Sequence, residues 1–166
     1  MPHSLQPQPL TPEAFAPFGQ VLQKDGARNF AINDGTCRRF HDLANVEATG
    51  PGGRVIVSLV TGEPSTLPLL VEMVERHPFG SQAFHPLSRN RFLVVVCEDE
   101  DGRPVRPRAF LTSPGQGVNY DRNVWHGVLT PLGETSDFLI VDRDGEGDNL
   151  EVFTFDEPVL VRAPGE

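Results

Sequence analysis

The sequence has little of what several functional classes need. Only two of its 166 residues are cysteine, so it cannot be a disulfide-rich scaffold. Cys37 sits in a polar stretch and Cys97 ends the apolar run Phe92–Cys97, which points to two free thiols in a reducing compartment. No apolar run approaches the ~20 residues of a membrane span. The N-terminal MPHSLQPQPL has neither the basic nor the apolar segment of a secretory signal. The expected location is the cytoplasm. Basic residues are scarce as well: 14 stand against 23 acidic ones, the net charge is −9, and Lys24 is the lone lysine. Without a basic stripe, neither nucleic acid nor an anionic membrane surface is an expected partner. A small anionic substrate stays open, because one arginine can reverse the sign inside a pocket. Also missing are a Walker-type phosphate loop, a serine nucleophile elbow and any internal repeat at a solenoid period.

Glycine and proline, in contrast, are plentiful, at 16 each. Their abundance predicts many turns and short strands, and the length fits a single domain over residues 1–166. One short helix is expected near the start. Thr11 suits the N-cap, Pro12 the first helical position and Glu13 the positive helix end, and Pro17 and Gly19 stop it. Arg28–Asp42 reads as a long loop or an edge strand. From Gly53 onward come short β-branched or aromatic runs: RVIVSLV, LPLLVEMVERH, RFLVVVC, PRAFLT, GVNYD, VWHGVL, SDFLIVD, LEVFTF and PVLVR. Turn residues separate them, a pattern that favours a β-sandwich or barrel. A parallel α/β fold would need helical stretches between the strands, and none is visible. The acidic run Glu98–Asp101 reads as a solvated hairpin loop.

Two stretches carry candidate chemistry. Period-two alternation puts Leu69, Val71, Met73, Glu75 and His77 on one strand face, and Leu70, Glu72, Val74 and Arg76 on the other. The first set is an inward stripe that turns polar at its end. Ionisable groups there need partners, a metal or a wet pocket. Pro78–Gly80 makes a turn, after which Gln82 and Phe84 share a face and Gln82 can point back at His77. In VNYDRNVWHGVL, Val124 and His126 share a face opposite Trp125 and Gly127. Each residue alone has a structural explanation, since a strand histidine or glutamine commonly serves hydrogen bonding. The convergence of Glu75, His77, Gln82 and His126 is what favours function. DRDGEGDN at 142–149 alternates acids like a calcium loop, but its glycine is misplaced and position twelve is Phe153, so it reads as a polar turn. Asp142 and Arg143 follow the apolar run FLIV and read as anchors of the strand end.

The spacing Glu75-x-His77-x4-Gln82, with His126 on a later strand, resembles the two metal-binding motifs of cupins. Glutamate replaces one expected histidine and glutamine the expected glutamate. His77, Gln82 and His126 would then be the metal ligands, a donor set for a borderline divalent ion such as Ni, Mn or Zn. The longer strings LTPEAFAPFGQVL, FAINDGT, RFHDLA, ERHPFGSQAFHPL, FLVVVC, RAFLTSPGQGVNYDRNVWHGVL and DFLIVDR resemble the ureidoglycolate lyase family from Leu10 to Val161. That resemblance implies a mainly β, cupin-type double-stranded β-helix or jelly-roll barrel with a short N-terminal helix. It also implies a homodimer, an association with nickel, and conversion of (S)-ureidoglycolate to glyoxylate and urea.

Collapse of this carbinolamine needs general base and general acid work, which suits histidine. His77 and His126 are expected as base and metal ligands, or as base and acid if no metal is present. Arg122 is the expected carboxylate binder, and Asn119, Tyr120 and Asn123 the contacts to the urea group. Arg39, His41 and Asp42 either close the pocket from the partner subunit or form a structural ion pair. Two other readings stay open: a ureidoglycolate amidohydrolase, which releases ammonia in place of urea, and a non-catalytic cupin that binds a small carboxylate.

Overall fold

The computed structural model describes residues 3–165. In chain order the elements are β1 (Ser4–Leu5), β2 (Gln8–Pro9), α1 (Pro12–Phe15), β3 (Gly19–Leu22), β4 (Asn29–Ile32), β5 (Cys37–Phe40), β6 (Arg54–Gly62), β7 (Leu69–Arg76), β8 (Gln82–Pro86), β9 (Phe92–Glu100), β10 (Arg103–Leu111), β11 (Gly117–Tyr120), β12 (Trp125–His126), β13 (Thr130–Pro131), β14 (Ser136–Asp144) and β15 (Glu151–Val161). The larger sheet runs β1-β15-β7-β12-β9-β10-β2, with β13 also on β9, and the smaller runs β3-β11-β8-β14-β6. Pairing is antiparallel except for β1 on β15 and β2 on β10. The two curled sheets face each other in a jelly-roll half-barrel of the cupin type.

The main core lies between them. Phe92, Val94 and Val96 of the larger sheet meet Val21, Phe84, Val118, Tyr120 and Phe138 of the smaller. Strand β9 explains why its sequence is apolar without alternation. Its other face supplies Leu93 and Val95 to a second cluster, and Cys97 joins Val74 and Trp125 in a third. A strand covered on both faces has no polar side to show. The same holds for part of β7. Val74 was expected on the outward face, yet it is fully buried, because Trp125 and Cys97 cover it.

The short helix forms as its signals suggest, with the Thr11 hydroxyl accepting from the Ala14 amide. Its Phe15 is fully buried and packs on Phe18, Phe110 and Tyr120, closing one end of the core. Arg28–Asp42 is neither a loop nor an edge strand of a main sheet. It is a hairpin, β4–β5, paired only with itself. Asn33, Asp34 and Gly35, all with positive φ, make its turn. The acidic run ends β9, and Asp101-Gly102 forms a tight turn with positive φ at both residues. Asp99 is not merely solvated: it accepts from the Trp125 indole at 2.9 Å and from Arg76 at 2.8 Å.

Candidate active site

Three strands deliver the site. β7 carries Glu75, and His77 follows two residues later on the same face. The chain then turns at Pro78–Gly80, where a side chain at Gly80 would come within 2.7 Å of the Arg143 Cβ. β8 begins at Gln82. β12, only Trp125 and His126, is held between β7 and β9 by pairing of His126 with Glu75 and Val96. On its back, Trp125 is fixed by Asp99 and lies under the Arg76 guanidinium, 4.3 Å from the ring centre. A two-residue strand held this firmly aims His126 inward.

The histidine rings lie 5.2 Å apart. Each Nε2 approaches one atom, the Gln82 Oε1, at 3.1 Å for His77 and 3.2 Å for His126. Each Nδ1 faces a backbone carbonyl: Asn149 for His77 at 2.9 Å, Val124 for His126 at 3.0 Å. A carbonyl only accepts, so each Nδ1 must carry the ring proton. In the neutral rings both Nε2 atoms are therefore lone pairs. The Gln82 amide nitrogen is turned to Asp142 Oδ2 at 3.2 Å, so its oxygen is the end that faces the rings. Glu75 Oε1 lies 3.8 Å from His77 Nε2 and 3.7 Å from His126 Nε2. Four acceptors thus converge with no hydrogen among them. That is an unfavourable arrangement unless a proton or a cation joins it.

Ligand atoms of Glu75, His77 and His126 lie within 4.8 Å of one another, a spacing that can hold a metal ion. Two imidazoles with an amide and a carboxylate oxygen fit a borderline divalent cation. His126 is 2% exposed and burial, followed by repulsion from His77, outweighs its carbonyl bond, so its pKa falls to about 3. The Tyr120 ring stacks on His126 at 4.1 Å and 11°. Burial, and then the Glu75 charge, hold the Tyr120 phenol above its ordinary range, so it stays a neutral donor.

Not every candidate joins this cluster. Asn119 is on the β11 face opposite Tyr120, fully buried, and donates to Gln20 Oε1 at 2.8 Å and to the Asn45 carbonyl at 3.1 Å. Asn123 lines a cleft of about 240 Å³ beside Trp125 and Cys97, and its backbone N–H donates to the His77 carbonyl at 2.9 Å. Arg122 is half exposed, 4.0 Å from Glu47. His41 and Asp42 line a separate cleft of about 310 Å³ with Asp25 and Arg28, and Arg39 is exposed on the hairpin. Sequence reasoning missed two contributors. Asp142 directs Gln82, and Asn149 holds both the His77 ring and, through its side chain, the Phe79 amide at 2.8 Å. Only the inward position of Asp142 on its strand hinted at the first, and a backbone carbonyl leaves no signal for the second.

Comparison with known proteins gives consistent results. Residues 2–162 match the family model described as ureidoglycolate lyase. A ureidoglycolate lyase of Chelativorans sp. (strain BNC1) is 61% identical over 157 residues, covering 95% of each chain. One of Rhizobium etli (strain CIAT 652) is 57% identical over 164 residues, covering 99% of each. Among solved structures, a dTDP sugar isomerase from Desulfovibrio desulfuricans G20 aligns with 83% of this chain and 85% of its own, at TM-score 0.45 and 16% identity.

Proposed function

The chain belongs to the ureidoglycolate lyase family, and from that premise we propose that it cleaves (S)-ureidoglycolate to glyoxylate and urea at the cluster of Glu75, His77, Gln82 and His126. The observation that carries the reading is the convergence of two imidazole lone pairs, an amide oxygen and a carboxylate on one point. His77, His126 and Gln82 would hold a divalent ion, nickel by the family resemblance. Such an ion supplies Lewis acidity that polarises the substrate hydroxyl.

The chain's own residues do the rest. Glu75, partly open to solvent, is the proton carrier. Its carboxylate takes the hydroxyl proton, and the O–H electron pair becomes the second bond of the aldehyde. The C–N bond breaks with its pair on nitrogen, which takes the proton back from Glu75. The atoms of glyoxylate and urea sum to those of the substrate, so neither water nor a redox partner is consumed. Carrying out both transfers through one carboxylate is ordinary acid–base catalysis. The neutral Tyr120 hydroxyl donates to substrate, whereas Arg122, beside Glu47, and Asn123, in the cleft beside Trp125, stand outside the cluster. Asn119 contributes by fixing β11 behind Tyr120. Arg39, His41 and Asp42 reach a site only as the partner subunit's contribution.

We also propose a homodimer in the cytoplasm. β6 is the outer strand of its sheet, and Val55, Val57 and Leu59 on one face are 48%, 64% and 71% exposed. A second copy would cover that stripe. Both cysteines are free, as in a reducing compartment, and among the described residues no helix is long and apolar enough to cross a membrane.

Purified protein given (S)-ureidoglycolate should release urea and glyoxylate in equal amounts. Ammonia in place of urea would transfer the assignment to an amidohydrolase, and ligand-induced thermal stabilisation without turnover to a binding protein. Light scattering should give twice the chain mass, and Val57→Glu with Leu59→Glu should halve it. A monomeric parent would overturn the dimer.

A further inference from the structure

We propose that Asp142 is a positioning residue that fixes the direction of the Gln82 amide, and so decides whether oxygen or hydrogen faces the two catalytic imidazoles. The inference rests on the site reading above. A glutamine amide has two nearly isosteric ends, and both His77 and His126 approach the same one. With the oxygen toward them, the centre holds only acceptors and is ready for a cation or a substrate hydroxyl. With the amide reversed, its N–H groups would donate to both Nε2 lone pairs and cap them. The rings cannot choose, because their Nδ1 protons are committed to the Asn149 and Val124 carbonyls. The choice falls to whatever sits at the other end of the amide, which is Asp142 Oδ2 at 3.2 Å. A carboxylate only accepts, so reversal would set oxygen against oxygen at hydrogen-bond distance.

The strand geometry places Asp142 for this. β14 runs beside β8, with Val141 opposite Ala83. Period two then brings Asp142 to the face shared by Phe138, Ile140 and the core. Arg143, on the other face, is bound to the carbonyls of Thr49, Pro51 and Glu146, so it anchors the strand end and does not neutralise Asp142. The segment from Asp142 to Asn149 thus braces the site at both ends: Asp142 sets Gln82 and Asn149 sets His77.

The test uses Asp142→Asn and Asp142→Glu in the full chain. Calorimetric titration with nickel(II) alone should show an affinity about 10–100-fold weaker in D142N, the range found when a ligand's outer partner is lost. D142E should recover most of it, with the thermal midpoint of the metal-free protein little changed. A Gln82→Glu background presents oxygen in both directions, so there D142N should lose its effect or strengthen binding. A merely structural Asp142 would give the same loss in both backgrounds. A second readout needs no metal. The Gln82 side-chain N–H protons should be hydrogen-bonded and exchange-protected with no coupling to the imidazoles in the parent and in D142E, and should show hydrogen-bond coupling to the His77 and His126 Nε2 nitrogens in D142N. If the parent binds no nickel but its Gln82 protons behave this way, the metal reading fails and the role of Asp142 stands. Free Gln82 protons in the parent, or equal losses in both backgrounds, overturn the inference even if D142N does not fold.

Discussion

Replacing Tyr120 separates what its ring does from what its hydroxyl does. The ring is 5% exposed, stacks on His126 at 4.1 Å, and meets Phe15 and Phe84 at 6.1 and 6.2 Å. Each aromatic pair is worth about 0.5–1.5 kcal/mol beyond its buried area. Tyr120→Leu deletes all three and leaves part of the ring volume empty, so we expect a loss of about 2–4 kcal/mol. Tyr120→Phe keeps every ring contact and should stay within about 1 kcal/mol of the parent. The assay is urea unfolding at fixed protein concentration, followed by the emission of Trp125, the single tryptophan. For a chain of this size, the Leu variant should melt roughly 5–15 °C lower. Turnover should rank the variants differently. If the hydroxyl donates to substrate, Y120F loses about tenfold in kcat/KM, or ~1.4 kcal/mol of transition-state stabilisation, at nearly full stability. The reasoning is refuted if Y120L is as stable as the parent, or if Y120F is destabilised as much as Y120L.

Other perturbations probe separate links. A methyl at Gly19, which has φ 149°, would lie 1.8 Å from the Asn119 carbonyl oxygen, so Gly19→Ala must break the β3–β11 pairing. It should cost more than about 3 kcal/mol by denaturant titration, and a cost below 1 kcal/mol would mean that the strand edge yields. Burial raises the Cys97 thiol to about 12 from its ordinary 9.0. Above pH 9 the unfolded chain therefore loses a proton that the native chain keeps, and stability falls as pH rises, by about 1.4 kcal/mol at pH 10. Cys97→Ala should remove that part of the alkaline slope, and an unchanged slope would refute the assignment. A thiol reagent at neutral pH should modify the exposed Cys37 at once and Cys97 only after denaturation, and two fast thiols would contradict the buried placement. His126→Ala should abolish urea release and leave the far-ultraviolet spectrum unchanged, and a variant with full activity would remove His126 from the site.

Much of this was readable before folding, and the reasons are local. Thr11 and Pro12 announce a helix start through capping chemistry that needs no tertiary partner. The alternation ending in Glu75 and His77, and the turn before Gln82, are short-range facts, so the approach of Gln82 to His77 followed from spacing. The Arg28–Asp42 hairpin leaves little strand signal in the sequence, because it has few β-branched residues and its turn rests on positive φ at Asn33 and Asp34. Asn119 adjoins Tyr120 but faces the other way, towards Gln20 and Asn45, as period two along a strand requires.

The sequence by itself determined the all-β character, the short helix, the family and three of the four convergent groups as one hairpin, because periodicity, capping and turn chemistry act over a few residues. Tertiary structure alone decided how His126, 44 residues beyond Gln82, meets the same oxygen, and which atoms carry protons there. Those depend on the Val124 and Asn149 carbonyls and on Asp142, groups brought near by the pairing of β12 with β7 and of β14 with β8. Directionality of a hydrogen bond is set by its partner, and partners distant in sequence exist only once the sheets have closed.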